Sequence, residues 1–211
     1  LRRDFHAHPE LGFQEYRSAE RVEEYLRSLG LQTQRLAETG VTAELRGAED
    51  GPVLLLRADM DALPIQEENE VPYASQNDGG MHACGHDAHM AMLLTAAKVL
   101  AEDPSRIRGS VKFLFQPNEE VAGAEKMVQA GALENPRPDA ALALHIWTPL
   151  DSGTVGLAEG AVMASMDVFT ITVKGKGGHT GYPESAVDPI VTASEIIQAV
   201  QTIQTREISL Q

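Results

Sequence analysis

Cysteine occurs once in 211 residues, at position 84. That rules out a disulfide within these residues and fits a reducing compartment, so a cytoplasmic location is expected. Basic residues are also in short supply: 17 Lys and Arg stand against 31 Asp and Glu, a formal charge of -14. Binding to nucleic acid needs clustered Lys and Arg, so no nucleic-acid partner is expected. No apolar run reaches membrane-span length, and the opening LRRDFHAHPE has no apolar signal core, so no membrane association is expected either. Repeats and low-complexity segments are absent. With 43% hydrophobic and 23% charged residues, the composition is that of a globular protein.

The chain contains alternating helix and strand patterns. Residues 15–29, EYRSAERVEEYLRSL, place Tyr16, Ala19, Val22, Leu26 and Leu29 at helical spacing, with Gly30 as a stop. VTAELRG (41–47) reads as a strand. PVLLLRA (52–58) is a continuous apolar run, the mark of a strand buried on both faces of a parallel sheet. Asp87 is a candidate N-cap for an apolar helix over 88–102. SVKFLFQ (110–116) is the next buried strand, 122–131 a shorter helix, and AALALHIW (140–147) a further strand. This order predicts an α/β fold, a mostly parallel sheet flanked by helices. After about Gly160 the pattern changes: 166–178 alternates like a half-buried antiparallel strand, and 188–204 reads as a helix with proline in its first turn. The expected domains are 1–163 and 164–211. One strand and one helix are too little for a core, so the second domain is expected to be incomplete within this sequence.

Each buried run ends in polar residues of one kind. The first ends in Asp59 and Asp61, the second in Glu119 and Glu120, and the third carries His145. In open α/β sheets the carboxyl ends of the strands share one rim, where the following helices begin. MHACGHDAHM (81–90), which carries the lone cysteine, precedes such a helix. Singly, each residue has a plainer reading: a buried thiol, a core histidine, a solvated glutamate pair, two turn-forming aspartates. Four coincident strand or helix ends favour a metal site instead. Carboxylates gathered at one rim repel without a cation, and Cys, His and Glu are accepted ligands for zinc-type ions. Cys84 and His86 converge only from an extended turn, which Gly85 permits. Manganese, cobalt and nickel suit the carboxylate-rich surroundings as well. Adjacent residues in an extended segment face opposite ways, so one of Glu119 and Glu120 is a candidate ligand and the other a candidate general base.

HPELGFQE, RADMDALPI, MHACGHDAHM, FQPNEE, LHIW and GKGGHTGYPESAVDPI occur in this order. Together they resemble the M20 metallopeptidase family, in the branch of amidohydrolases that cleave N-acyl amino acids, hippurate and auxin conjugates, with some carboxypeptidases. The resemblance implies a catalytic domain holding two divalent metal ions (Mn, Zn, Co or Ni), interrupted by an inserted α+β lid that mediates homodimerisation. It places Cys84, His86, Glu120 and His145 on the metals, Glu119 as general base, and Asp59 and Asp61 behind the ligands as orienting groups. It also places His179 of the lid on the scissile carbonyl. His82, Asp87 and His89 are expected to serve packing, capping and local hydrogen bonds, and His6 and His8 to be surface residues at a helix entry. A last metal-binding histidine and the returning half of the catalytic domain are expected beyond residue 211. The implied reaction releases a free amino acid from an N-acyl amino acid or short peptide. A carboxypeptidase or dipeptidase of the same fold, and a non-catalytic metal-binding module, are the alternatives. Glu184 stands where many relatives carry a histidine, and a carboxylate there would repel a substrate carboxylate.

Overall fold

The computed structural model describes residues 1–162 and 168–203. These fall into two compact units, Leu1–Thr154 and Val155–Gln211. The boundary expected between 163 and 164 lies outside the described residues.

The first unit is built on five strands: β1 (Thr33–Leu36), β2 (Gly40–Arg46), β3 (Glu49–Asp59), β4 (Arg108–Gln116) and β5 (Ala140–Ala143). Their order across the sheet is β1-β2-β4-β3-β5. β3 runs parallel to both β4 and β5, while β1 and β2 form an antiparallel hairpin on the far side of β4. Parallel neighbours need a long crossover. Between β3 and β4 that crossover contains α3 (His86–Glu102), and between β4 and β5 it contains the short α4 (Ala124–Gln129).

Helices α1 (Arg2–Ala7), α2 (Tyr16–Ser28) and α3 line the larger core. From them Phe5, Val22, Leu26, Met90 and Leu94 meet Val41, Phe113 and Phe115 of the sheet. The opposite face of the sheet, through Leu55 and Leu114, packs on Met127 and Ala132. Strand β4 is therefore covered on both sides, as expected of the buried strand read over 110–116. Its buried cation, Lys112, donates from Nζ to the carbonyls of Glu134 and Pro136, at 2.6 and 3.2 Å.

Three local expectations are corrected. Tyr16 is exposed: it sits roughly a quarter turn around α2 from the Ala19–Val22–Leu26 face, and Tyr25 packs against the core instead. Asp87 is not the cap of α3, because that helix begins at His86 with Gly85 as N-cap at φ 90°. Only glycine takes that backbone conformation without strain. His6 is not a surface residue. It is buried within α1, its Nδ1 2.7 Å from Asp87 Oδ2 and its Nε2 3.0 Å from Glu67 Oε1.

A buried carboxyl connects the hairpin to the loop after β4. Glu15, fully buried, accepts from Thr39 Oγ1 at 2.6 Å and from the Asn118 amide at 2.8 Å. Burial pushes its pKa above the ordinary 4.5, against the pull of those two donors. A raised carboxyl pKa means that the stability Glu15 contributes is complete below the ordinary value and is lost as pH rises through the folded value. Glutamine keeps both hydrogen bonds if the Thr39 hydroxyl reverses, and it does not titrate. The Tm of Glu15→Gln relative to the parent is therefore expected to climb between pH 4 and pH 8. A difference that stays flat or falls in thermal melts across that range contradicts the assignment.

In the second unit, α5 (Pro189–Thr202) starts as its sequence predicts: Asp188 caps it by accepting the Ile190 amide at 2.9 Å, and Pro189 fills the first position. Among the described residues of the expected strand over 166–178, the ladder is limited to one bridge, Lys176 with Val187. α5 buries none of its residues. Among the described residues no helix is long and apolar enough to cross a membrane.

Candidate metal centre

The parallel register brings three strand ends together, since Asp59 of β3 pairs with Gln116 of β4, and Arg57 pairs with Ala143 of β5. The chain then continues into Asp61, into a short 3-10 turn over Glu119–Val121, and into His145, two residues past β5. The start of α3 arrives at the same rim. Left-handed Gly85 bends the chain so that Cys84 and His86 face one another's neighbourhood, which a helical Cys84–His86 pair could not do.

His86 is the hub. It is 1% exposed, and its Nε2 lies 3.7 Å from Asp59 Oδ2, 3.8 Å from Glu120 Oε1 and 3.9 Å from Glu119 Oε2. Donor atoms within 4.8 Å of one another form three groups: Cys84 with His86 and His145, His86 with Glu119 and Glu120, and Asp59 with His86 and His89. Cys84 Sγ is 3.4 Å from His145 Nε2. The other nitrogen of His145, Nδ1, donates to the Ile146 carbonyl at 2.6 Å. A carbonyl only accepts, so Nδ1 carries a hydrogen, which leaves Nε2 as the nitrogen that could ligate an ion at the cluster.

Asp61 and Asp59 hold this arrangement from behind. Asp61 Oδ2 accepts the Glu120 amide at 3.1 Å, fixing the backbone of the glutamate turn. Asp61 Oδ1 lies 3.3 Å from His86 Nδ1, near enough for charge attraction but out of line for a hydrogen bond. Asp59 receives Arg57 Nη1 at 2.8 Å and pairs with His89 Nδ1 at 2.6 Å. Burial alone would raise the Asp59 pKa; the His89 hydrogen bond, His86 and Arg57 overcome it and hold the carboxyl at about 2. Burial and the charge of Asp59 raise that of Glu119. For Cys84, burial and the adjacent Glu120 push the thiol up to about 12, so a cation binding there displaces its proton.

The cluster fits a divalent ion by a direct observation. Both ring nitrogens of His86, Asp61 Oδ1 and Glu120 Oε1 are buried without a hydrogen-bond partner. Buried polar atoms are nearly always satisfied; His86 Nδ1 and Asp61 Oδ1 at least meet each other, whereas His86 Nε2 and Glu120 Oε1, 3.8 Å apart, carry a desolvation cost unless a further group meets them. Thiolate, imidazole and carboxylate donors together suit a zinc-type or manganese-type ion.

All seven cluster residues expected from the sequence (Cys84, His86, Glu119, Glu120, His145, Asp59 and Asp61) are gathered here. His179 belongs to the second unit, where its Nδ1 accepts the Gly181 amide at 3.0 Å. His89 is the residue that sequence reasoning undervalued. Its signal was its position three residues after His86, on the same face of α3.

An α/β sheet whose parallel strands converge on Cys, His and carboxylate donors has the layout of a divalent-metal centre. The chain belongs to Peptidase family M20/M25/M40, whose pattern matches residues 55–209. It is 45% identical over 212 residues to N-acetylcysteine deacetylase of Bacillus subtilis, covering 99% of this chain and 55% of that protein. It is 47% identical over 210 residues to N-acyl-L-amino acid amidohydrolase of Geobacillus stearothermophilus, covering 98% and 56%. The crystal structure of the Bacillus subtilis YXEP protein, described as a dinuclear metal-binding peptidase from the M20 family, superposes with a TM-score of 0.73 at 44% identity, covering 76% of this chain and 45% of that one. The chain thus spans about half the length of the relatives it matches.

Proposed function

We propose that the protein containing this chain hydrolyses the amide bond of N-acyl amino acids or short peptides, releasing a free amino acid. The observation that carries this reading is the position of Glu119, a partly exposed carboxylate beside the orphaned nitrogens of His86. Cys84, His86, Glu120 and His145 would hold two divalent ions. Such ions lower the pKa of a nearby water and polarise the scissile carbonyl. Glu119 takes the proton of the attacking water and returns it to the departing amine, a role helped by its raised pKa. Asp61 keeps the glutamate turn in place through the Glu120 amide, and Asp59 orients the histidines. We assign His179 to the oxyanion that develops on the carbonyl, and two copies of the chain to the working assembly. Both assignments rest on family resemblance.

The test uses the longest natural chain containing these residues, stripped of metal and resupplied with Mn, Co, Ni or Zn. Free amino acid is measured from N-acetyl, N-benzoyl and dipeptide panels. Metal-dependent release from the N-acyl compounds is expected, and the rank order of the four metals names the physiological candidates. Release from dipeptides alone would favour the dipeptidase reading. No release in the presence of stoichiometric bound metal would leave a metal-binding module.

A further inference from the structure

His89 lies inside the metal-binding motif but has both ring nitrogens committed elsewhere. Its Nε2 lies 3.0 Å from the backbone nitrogen of Ile146, and its Nδ1 lies 2.6 Å from Asp59 Oδ1. A backbone N–H can only donate, so Nε2 is the acceptor and carries no hydrogen. The hydrogen sits on Nδ1 and is donated to the Asp59 carboxylate. The ring is thus a neutral imidazole in one defined tautomer, 1% exposed at the side chain and 4.6 Å from the ring of His145. A metal at His89 would need the lone pair already given to Ile146. His89 is therefore no ligand, although its atoms lie close enough to His86 and Asp59 to form a candidate group.

What the ring reaches is the backbone next to His145. That residue stands in an exposed segment beyond the end of β5, where no strand ladder fixes it. Among the described residues, the segment 144–154 has two hydrogen-bond ties to the remainder of its unit: Cys84 with His145, and His89 with Ile146. The first joins two candidate ligands and gives way once they hold an ion. The second persists. Behind it, Asp59 takes Arg57 Nη1 at 2.8 Å, and Arg57 Nε donates to Gln116 Oε1 at 3.0 Å. A continuous chain of hydrogen bonds therefore runs from the end of β4, across the end of β3, through α3, to the peptide beside His145.

The geometry points to His89 as a positioning residue that sets the place of His145 before any ion arrives. This rests on the reading of His145 as a ligand in the proposed metallohydrolase. Its role is exerted through Ile146, so the two ends of the ring are separable by substitution. Glutamine carries an acceptor where Nε2 was and keeps the Ile146 tie. Asparagine carries a donor where Nδ1 was and keeps only Asp59.

Metal-free protein is titrated with Co²⁺, reading the affinity and the absorption of the cobalt–thiolate pair from Cys84. Thermal melts without metal serve as the control for folding. His89→Ala and His89→Asn are expected to weaken Co²⁺ binding about 10- to 100-fold, the range for groups that orient ligands. His89→Gln is expected to restore most of it. In a His145→Ala background the His89 substitutions should have little further effect, because the group they position is gone. Equal affinity in all His89 variants and the parent overturns this proposal, as does His89→Gln behaving like His89→Asn at matched thermal stability. If His145→Ala itself binds Co²⁺ like the parent, the metal reading of His145 fails first, and the positioning role goes with it.

Discussion

Replacing Glu119 with Gln is expected to lower amide hydrolysis by about a hundredfold to ten-thousandfold, the span for losing a general acid–base group, with bound metal unchanged. Glutamine matches the shape of glutamate but cannot take a proton from water or return it to an amine. Bound metal should survive because the two glutamates are held differently. Glu120 has its amide fixed by Asp61 and its Oε1 buried without a partner, the state of a carboxylate waiting for a cation. Glu119 is the more exposed of the two, 37% against 25% at the side chain. Glu120→Gln is accordingly expected to lose metal, with activity falling as a consequence. Metal analysis and turnover measured on both variants decide the matter. If Glu119→Gln loses the metal and Glu120→Gln retains it, the two roles are reversed.

His86→Ala should have the largest effect on metal binding, because His86 belongs to every candidate ligand group among the described residues. The expected loss of affinity exceeds the roughly 100-fold upper range for groups that only orient ligands. Its effect on stability has a distinctive form. A ligand present at 100 times its dissociation constant stabilises a fold by about 2.7 kcal/mol. The parent should show that rise in unfolding free energy on adding metal, and His86→Ala close to none at the same concentration. Without metal His86→Ala should also lower stability, because it leaves a cavity and removes the ring that stands between Asp59, Asp61 and Glu120. A variant that loses most of its stability without metal, yet still gains from metal, would show that His86 packs the rim and does not ligate.

Much of this site was legible in the sequence because two rules act together. Apolar stretches mark central strands, so 52–58 and 110–116 announced themselves; the expected burial on both faces holds for 110–116 but not for 52–58, where Leu55 and Ala58 are buried and Leu54 is exposed. Parallel strands in an open sheet end at one rim, so the polar residues following those runs had to meet there. The edge hairpin was half visible: β2 was readable, but the four-residue β1 is too short and too polar to mark itself. The run over 140–147 was read as strand throughout, whereas pairing stops at Ala143 and leaves His145 beyond the ladder.

By itself the sequence determined the α/β layering and the gathering of Cys, His, Asp and Glu donors at one rim, because both follow from local patterns of apolar and donor side chains. Tertiary structure alone decided which histidine nitrogens are committed to hydrogen bonds and which are buried without a partner. His89 finds Asp59 30 residues back and Ile146 57 residues ahead, and His6 meets Asp87 81 residues away. Periodicity tells which face of a helix a histidine occupies. Its hydrogen-bonding partners, which fix the tautomer and so the chemistry of the ring, come from segments that only the folded chain brings within 3 Å.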